Sequence, residues 1–304
     1  MKRVAVVDIG SNSTRLLIAD VDEHGATQLE RRTNVTRLAD GVDQTGRLSD
    51  DAIARVDGPL ADYRKLIEEH GVEVTIGLMT SAVRDAANGD AFVARVRDVY
   101  GIDARVLPGD EEARLTFLGA TAERQDTEHI AVVDIGGGST EIVTGSGFSI
   151  SVQMGVVRFT ERHLHHDPPE PAELQRLTAA VREVLDAVLP PRPGVEMLIA
   201  VAGTATSAAA IAHDVQPYDP NRIHGSHITA GDLEQILARL AILPNSKRRE
   251  VRGLHPDRAP TIVAGIVILL ETVRAFGLDE IEISEHDILV GAALDQTRGR
   301  AGTG

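Results

Sequence analysis

The chain has no cysteine among its 304 residues. That excludes a disulfide framework, a thiolate metal site and a thiol nucleophile. Tryptophan is also absent and aromatic residues make up only 3%. A base-stacking platform is therefore hard to assemble, although arginine can stack on a base instead. Positive charge is short as well: 31 Lys and Arg against 46 Asp and Glu leave a net charge of −15. General nucleic-acid binding needs a basic footprint, so no nucleic-acid partner is expected. A polyanionic substrate would have to be met by local basic groups and metal ions, not by the overall field. No apolar run reaches the roughly 18 residues of a membrane span. The longest, Ile262 to Leu270, contains a glycine and reads as core, so no membrane partner is expected either. Met1-Lys2-Arg3 lead straight into a strand ending at Asp8, without the anatomy of a signal peptide. The expected compartment is the cytoplasm.

What is present is an ordinary globular composition, 42% hydrophobic and 25% charged, at a length that suggests about two domains. The most informative stretch is Asp134-Ile-Gly-Gly-Gly-Ser-Thr-Glu141, which follows the apolar strand Ile130–Val133. A strand ending in a carboxylate and a glycine turn can present backbone N–H groups to an anion, and glycine lets a phosphate approach them. Alone, such a stretch also describes a plain glycine-rich hairpin. It is not alone: residues 5–10 and 131–136 both read Ala-Val-Val-Asp-Ile-Gly, and Ser13-Thr14 echoes Ser139-Thr140. The repeat suggests a duplicated architecture with two phosphate turns facing each other.

Around each turn the pattern is that of a β-meander followed by alternating helices and strands. Apolar residues at 53, 56, 60, 63 and 67 give helical spacing, with a kink or break expected at Gly58-Pro59. Val72 to Met79 reads as a strand. Thr80 or Ser81 can then cap a helix that carries Arg84 near the strand's carboxyl end, where ligands bind in open α/β sheets. Arg84 could equally make a surface salt bridge. Gly109-Asp-Glu-Glu-Ala-Arg-Leu115 opens another helix. Its three carboxylates could serve the helix dipole, or one could accept a proton from water. Gln125 to Glu128 is a polar linker, placing domains at 1–125 and 126–304, with the C-terminal helix a candidate to pack back on the first. Ala202-Gly203-Thr204 is a third glycine turn entering a helix. Asp214 to His227 reads as a surface loop. Pro244 to Arg252 carries Lys247, Arg248, Arg249 and Arg252, a local reversal of the chain's charge.

Taken together, these pieces resemble the exopolyphosphatase and guanosine pentaphosphate phosphatase (Ppx/GppA) family of the actin-like superfamily. The pieces stand in the family's order: Asp8 to Ser13, Thr80 to Arg84, Gly109 to Leu115, Asp134 to Glu141, Met154-Gly155 with Arg158, Ala202 to Thr204, and Ser284 to Gly291. The resemblance implies an α/β fold of two actin-like (ribonuclease H-like) domains related by duplication, with an interdomain cleft. It implies Glu112 as the residue that activates the attacking water. Asp134 and Glu141, with Asp8 in the corresponding place of the first half, would hold Mg²⁺, with Mn²⁺ an alternative. Ser11, Asn12, Ser13, Gly136, Gly137, Gly138, Ser139 and Arg84 would bind phosphate. Gly203 and Thr204 form a further candidate cradle. Lys247, Arg248, Arg249, Arg252 and Arg258 would guide the rest of a phosphate chain. The length resembles the family's short form, which favours short polyphosphate as substrate. Guanosine pentaphosphate is the competing substrate. A kinase or nucleotide-driven switch is a further alternative, disfavoured by Glu112 in its Glu-Glu-Ala context. A non-catalytic sensor of polyphosphate or an alarmone is the alternative of another class. A homodimer is compatible with the sequence.

Overall fold

The computed structural model describes residues 1–190 and 194–298. They form two compact units, one of Met1–Glu123 with the segment from His286 onward, the other of Arg124–Glu285.

In the first unit β1 (Lys2–Ile9), β2 (Ser13–Asp22) and β3 (Gly25–Val35) make an antiparallel meander. After α1 (Val42–Thr45) and α2 (Asp50–Glu69), strand β4 (Val74–Met79) joins β1 in parallel. Helices α3 (Ser81–Asp85) and α4 (Gly89–Tyr100) lead to β5 (Ala104–Val106), parallel to β4, and α5 (Gly109–Ala120) follows. The strand order β3-β2-β1-β4-β5 puts β1 in the middle. Its continuous apolar run Val4 to Val7 is buried throughout, as a strand covered on both faces requires.

Helix α2 starts at Ser49, whose hydroxyl accepts from Ala52 N at 3.2 Å, with Asp50 and Asp51 in the first turn. Of the kink or break expected at Gly58-Pro59, the break does not occur: α2 runs through Pro59. A helical proline costs about 3 kcal/mol. Val56 on one side and Leu60 and Tyr63 on the other are fully buried, each contributing roughly 1.5–3 kcal/mol. The Tyr63 hydroxyl also reaches the carbonyl of Thr14 at 2.8 Å. Packing therefore outweighs the local defect.

The second unit repeats the plan. β6 (Ile130–Ile135), β7 (Thr140–Thr144) and β8 (Ser149–Val152) form the meander. They are followed by α6 (Val156–His163), α7 (Pro171–Val188), β9 (Met197–Val201), α8 (Ala202–Ala212), α9 (Pro220–Ile223) and β10 (His227–Thr229). Then come α10 (Ala230–Ala241), α11 (Asn245–Arg248), α12 (Ile262–Phe276) and β11 (Glu280–Ile283). β9 lies parallel to β6 and β11 parallel to β9. The order β8-β7-β6-β9-β11 thus matches the first sheet strand for strand, with β10 added antiparallel at the edge. This is the duplicated actin-like arrangement that the repeated turn implies. The stretch 214–227, expected as a loop, contains α9 and reaches β10; elements this short show no period. Helix α12 is buried from Ile262 to Val273, so its apolar run is core. No described helix is long and apolar enough to cross a membrane.

The last helix, α13 (Ile288–Arg298), belongs to the first unit. Ile288, Leu289 and Ala293 join Leu17, Leu78 and Leu115 in one core. Helices α5 and α13 touch backbone to backbone. A Cβ on Gly291 would lie 1.8 Å from Leu115 O, and one on Gly119 would lie 2.0 Å from Asp287 O. Gly291→Ala must push the helices apart. The expected loss is about 1–3 kcal/mol, read as a lower midpoint in thermal unfolding; an unchanged midpoint contradicts the close crossing.

Candidate active site

The first glycine turn closes with Gly10 N donating to Ser13 O at 2.9 Å. Its carbonyls are turned away from any ligand. Ser11 O accepts from Ala39 N, and Asn12 O accepts from both Thr36 N and Arg37 N. The Ser11 hydroxyl accepts from Ala82 N at 3.0 Å and shares a 2.8 Å bond with the Ser81 hydroxyl. Ser11 therefore caps α3, and the side chain of Thr80, the expected cap, makes no capping bond. The consequence is positional, because the turn is tied directly to the helix that carries Arg84. Asn12 Oδ1 is buried with no hydrogen-bond partner, an acceptor left open in the turn.

Arg84 and Glu112 are brought together. Arg84 Nη1 donates to Leu107 O at 2.6 Å and to Glu112 Oε2 at 3.2 Å. The three acidic residues at the start of α5 separate by burial. Asp110 is exposed and Glu111 half-buried, whereas Glu112 is buried. A hydrogen bond from Arg105, 2.6 Å long, holds the Glu111 carboxyl below the usual range. Serving the helix dipole does not require a buried carboxylate. Glu112 is buried all the same and accepts from Arg84, whose helix is tied to the first glycine turn, which makes it a candidate for chemistry.

Asp8, at the end of β1, stands opposite Arg15 on β2. Arg15 Nε and Nη2 both donate to Asp8 Oδ2, at 2.8 and 2.6 Å, leaving Oδ1 buried without a partner. Burial pushes the Asp8 carboxyl up, against the pull of Arg15. One Asp8 oxygen is thus committed to a guanidinium, and Oδ1 is the one left for the expected role as a metal ligand.

In the second unit the turn is built in the same way. Gly136 N donates to Ser139 O at 3.0 Å. Gly136 O and Gly137 O accept from Val156 N and Val157 N, each at 2.9 Å, at the start of α6. Gly138 O accepts from Arg158 Nε at 2.8 Å. Gly155 must be glycine here, because a Cβ would lie 2.3 Å from Gly137 O. Strand register sets Asp134 opposite Glu141, and both are buried. Ser151 donates to Glu141 Oε1 at 2.6 Å. Two buried carboxylates facing each other repel. An all-oxygen pair of this kind fits a hard divalent cation such as Mg²⁺.

The third turn is strained. Ala202, the first residue of α8 directly after β9, has φ 64°, a left-handed conformation costly for a residue with a Cβ. Gly203 serves a different end. A Cβ there would lie 1.7 Å from Arg258 Nη1, so the guanidinium rests directly on the glycine backbone. Thr204 beside it is buried.

The basic segment is corrected. Arg248 is 4% exposed and donates to Leu243 O, Ala259 O and Asp167 Oδ1 at 2.8, 3.2 and 2.9 Å. Lys247 pairs with Glu250 at 3.0 Å, Arg252 with Asp214 at 2.7 Å, and Arg249 lies 3.9 Å from Asp257. The local charge reversal is neutralised by Glu250 within the segment and Asp257 just after it, and by Asp167 and Asp214, which are distant in sequence; Arg248 is buried as a structural donor. Of the predicted basic set, Arg258 is the one placed on a glycine turn. Arg248→Ala is expected to cost about 2–4 kcal/mol of stability, because two carbonyls lose their donor. A normal melting midpoint with a raised KM for polyphosphate would restore the chain-guiding role.

Sequence reasoning missed Arg15, Asp287 and Ser151. A signal for Arg15 was present. The seven-residue offset that sets Glu141 opposite Asp134 sets Arg15 opposite Asp8.

Exopolyphosphatase 2 of Mycobacterium tuberculosis is 40% identical over 97% of this chain and 98% of its own. Exopolyphosphatase 1 of the same organism is 31% identical over 96% of this chain and 87% of its own. Among solved structures, the Aquifex aeolicus member of the Ppx/GppA family superimposes with a TM-score of 0.83 at 32% identity, covering 99% of both chains. An exopolyphosphatase-like protein does so with a TM-score of 0.93 at 32% identity, again over 99% of both. The profile of the Ppx/GppA phosphatase family matches residues 17–295. The chain therefore belongs to the Ppx/GppA phosphatase family and is an enzyme of the phosphatase class.

Proposed function

We propose that the protein is an exopolyphosphatase that removes the terminal phosphate of short inorganic polyphosphate and releases orthophosphate. The observation that carries the reading is the buried Glu112 held by Arg84 at 3.2 Å, on a unit whose glycine turn is stitched to the Arg84 helix. Phosphoanhydride hydrolysis needs charge neutralisation, an in-line water and a positioned base. Glu112 takes a proton from the attacking water. Arg84 and the N–H groups of Ser11 to Ser13 and Gly136 to Ser139 hold phosphate oxygens. Gly203, Thr204 and Arg258 form a further phosphate contact. Asp134 and Glu141 would hold Mg²⁺ or Mn²⁺ in the second unit, and Asp8 Oδ1 is the open acceptor of the first. The cation, when bound, neutralises phosphate oxygens. The relatives named exopolyphosphatase support the substrate class, and the cytoplasm is the compartment this reading implies.

One observation favours guanosine pentaphosphate as a second reading. Tyr218 is the exposed aromatic ring among the described residues. It lies within the electrostatic reach of Arg258, and its hydroxyl donates to Glu285. A guanine could stack there. The deciding experiment measures phosphate release from short and long polyphosphate, guanosine pentaphosphate and ATP, with and without Mg²⁺. Preference for short polyphosphate with Mg²⁺ supports the proposal. Preference for the guanosine nucleotide replaces it with the second reading. Release from none of the four, with binding retained, leaves a sensor.

A further inference from the structure

The two glycine turns share their backbone but differ in charge. In the second unit the residue opposite the turn's aspartate is Glu141; in the first it is Arg15. Arg15 does not stop at Asp8. Its Nη1 donates to Asp287 Oδ2 at 2.5 Å, and Arg31 Nη2 donates to the same oxygen at 3.1 Å. Asp287 Oδ1 accepts from Leu289 N at 3.0 Å at the start of α13. Asp8 and Asp287 are each 2% exposed, so two buried carboxylates and two guanidinium groups form a neutral cluster. Removing one member would leave a buried charge uncompensated.

The geometry matters more than the neutrality. A guanidinium next to one carboxylate tends to fork across both of its oxygens. Here Arg15 uses two nitrogens on a single oxygen, Asp8 Oδ2, and its third nitrogen is drawn off by Asp287. Asp8 Oδ1 is thereby kept buried and without a partner.

We propose that Asp287 is a positioning residue for the phosphatase reaction. By holding Arg15 between two carboxylates, it prevents Arg15 from closing over Asp8 Oδ1, which stays open as an acceptor inside the first glycine turn. The inference rests on the phosphatase reading for its kinetic consequence, but its structural claim stands apart from it. Without Asp287, Arg15 swings to fork both oxygens of Asp8.

The test compares Asp287→Asn with Arg31→Gln. Both break the Asp287–Arg31 pair and both should lower the melting midpoint. Only the first releases Arg15: with the amide oxygen kept on Leu289 N, its NH2 group faces the guanidinium and cannot accept from it. Assayed on polyphosphate with Mg²⁺ below both midpoints, Asp287→Asn is expected to lower kcat by roughly 10–100-fold, the usual effect of losing an outer-shell partner. KM should move by less than about threefold, and Arg31→Gln should stay within about twofold of the parent. Equal kcat losses, or an unchanged kcat in Asp287→Asn, would make Asp287 a helix cap and nothing more. Should Asp287→Asn fail to fold, Asp287→Ser substitutes for it, since a hydroxyl can still accept from Leu289 N but is too short and uncharged to hold Arg15. The same kcat loss is expected, and an unaffected kcat overturns the proposal. A crystal structure of Asp287→Asn separates this idea from the reaction itself. Arg15 forked on both Asp8 oxygens supports it even if the parent enzyme cleaves none of the polyphosphates tried, and an unmoved Arg15 overturns it in either case.

Discussion

Glu112→Gln is expected to lower phosphate release by roughly 10²–10⁴-fold, the range for removal of a general base, while leaving polyphosphate binding within about twofold. The substitution is close to isosteric. The amide oxygen can still accept the 3.2 Å bond from Arg84, so the Arg84 side chain and the α5 start should stay in place. What is lost is the capacity to take a proton. Glu111→Gln is the internal control. Glu111 is only one residue away, but its carboxylate is spent on Arg105 at 2.6 Å, and its loss should change the rate by less than about threefold. Initial rates and calorimetric binding of a short polyphosphate decide the matter. A Glu112→Gln enzyme of near-normal rate, or one that no longer binds the chain, removes Glu112 from the role of base.

That the rate should separate two adjacent glutamates shows where the sequence stops being informative. The turns were legible because they are local. Ala-Val-Val-Asp-Ile-Gly dictates a buried strand, a carboxylate at its end and a glycine corner wherever it occurs, and both copies fold with the same Gly N to Ser O bond. The sheet order followed, since a meander and parallel crossovers have few alternatives. Which of Asp110, Glu111 and Glu112 is buried depended on Arg84 and Arg105, set by strands β4 and β5. The fate of Arg248 depended on Asp167, 81 residues earlier. That of Arg15 depended on Asp287, 272 residues later. That α2 continues unbroken through Pro59 was not legible for a related reason, because helix propensity is local while the burial of Val56 and Tyr63 is not.

The opposed carboxylates of the second unit yield the other large effect. Asp134 and Glu141 are paired in register and buried, and like charges directly opposite each other in a sheet are destabilising. Glu141→Gln removes one charge and keeps an oxygen to accept from Ser151, now 2.6 Å from Glu141 Oε1. In chelator the variant should therefore melt at or slightly above the parent temperature. Added Mg²⁺ should raise the parent midpoint, because a ligand that binds only the folded state stabilises it by mass action. It should leave the variant's midpoint unchanged. Activity with Mg²⁺ should fall by about 10²-fold or more, since the oxygen set for a hard cation is incomplete. The two readouts check each other. A variant that loses activity and stability together, in chelator as well as in Mg²⁺, would show that Glu141 supports the strand pair and does not hold a cation. A Mg²⁺-induced shift retained at the parent's size would move the cation elsewhere, and Asp8 Oδ1, the buried acceptor of the other turn, would become the group to test next.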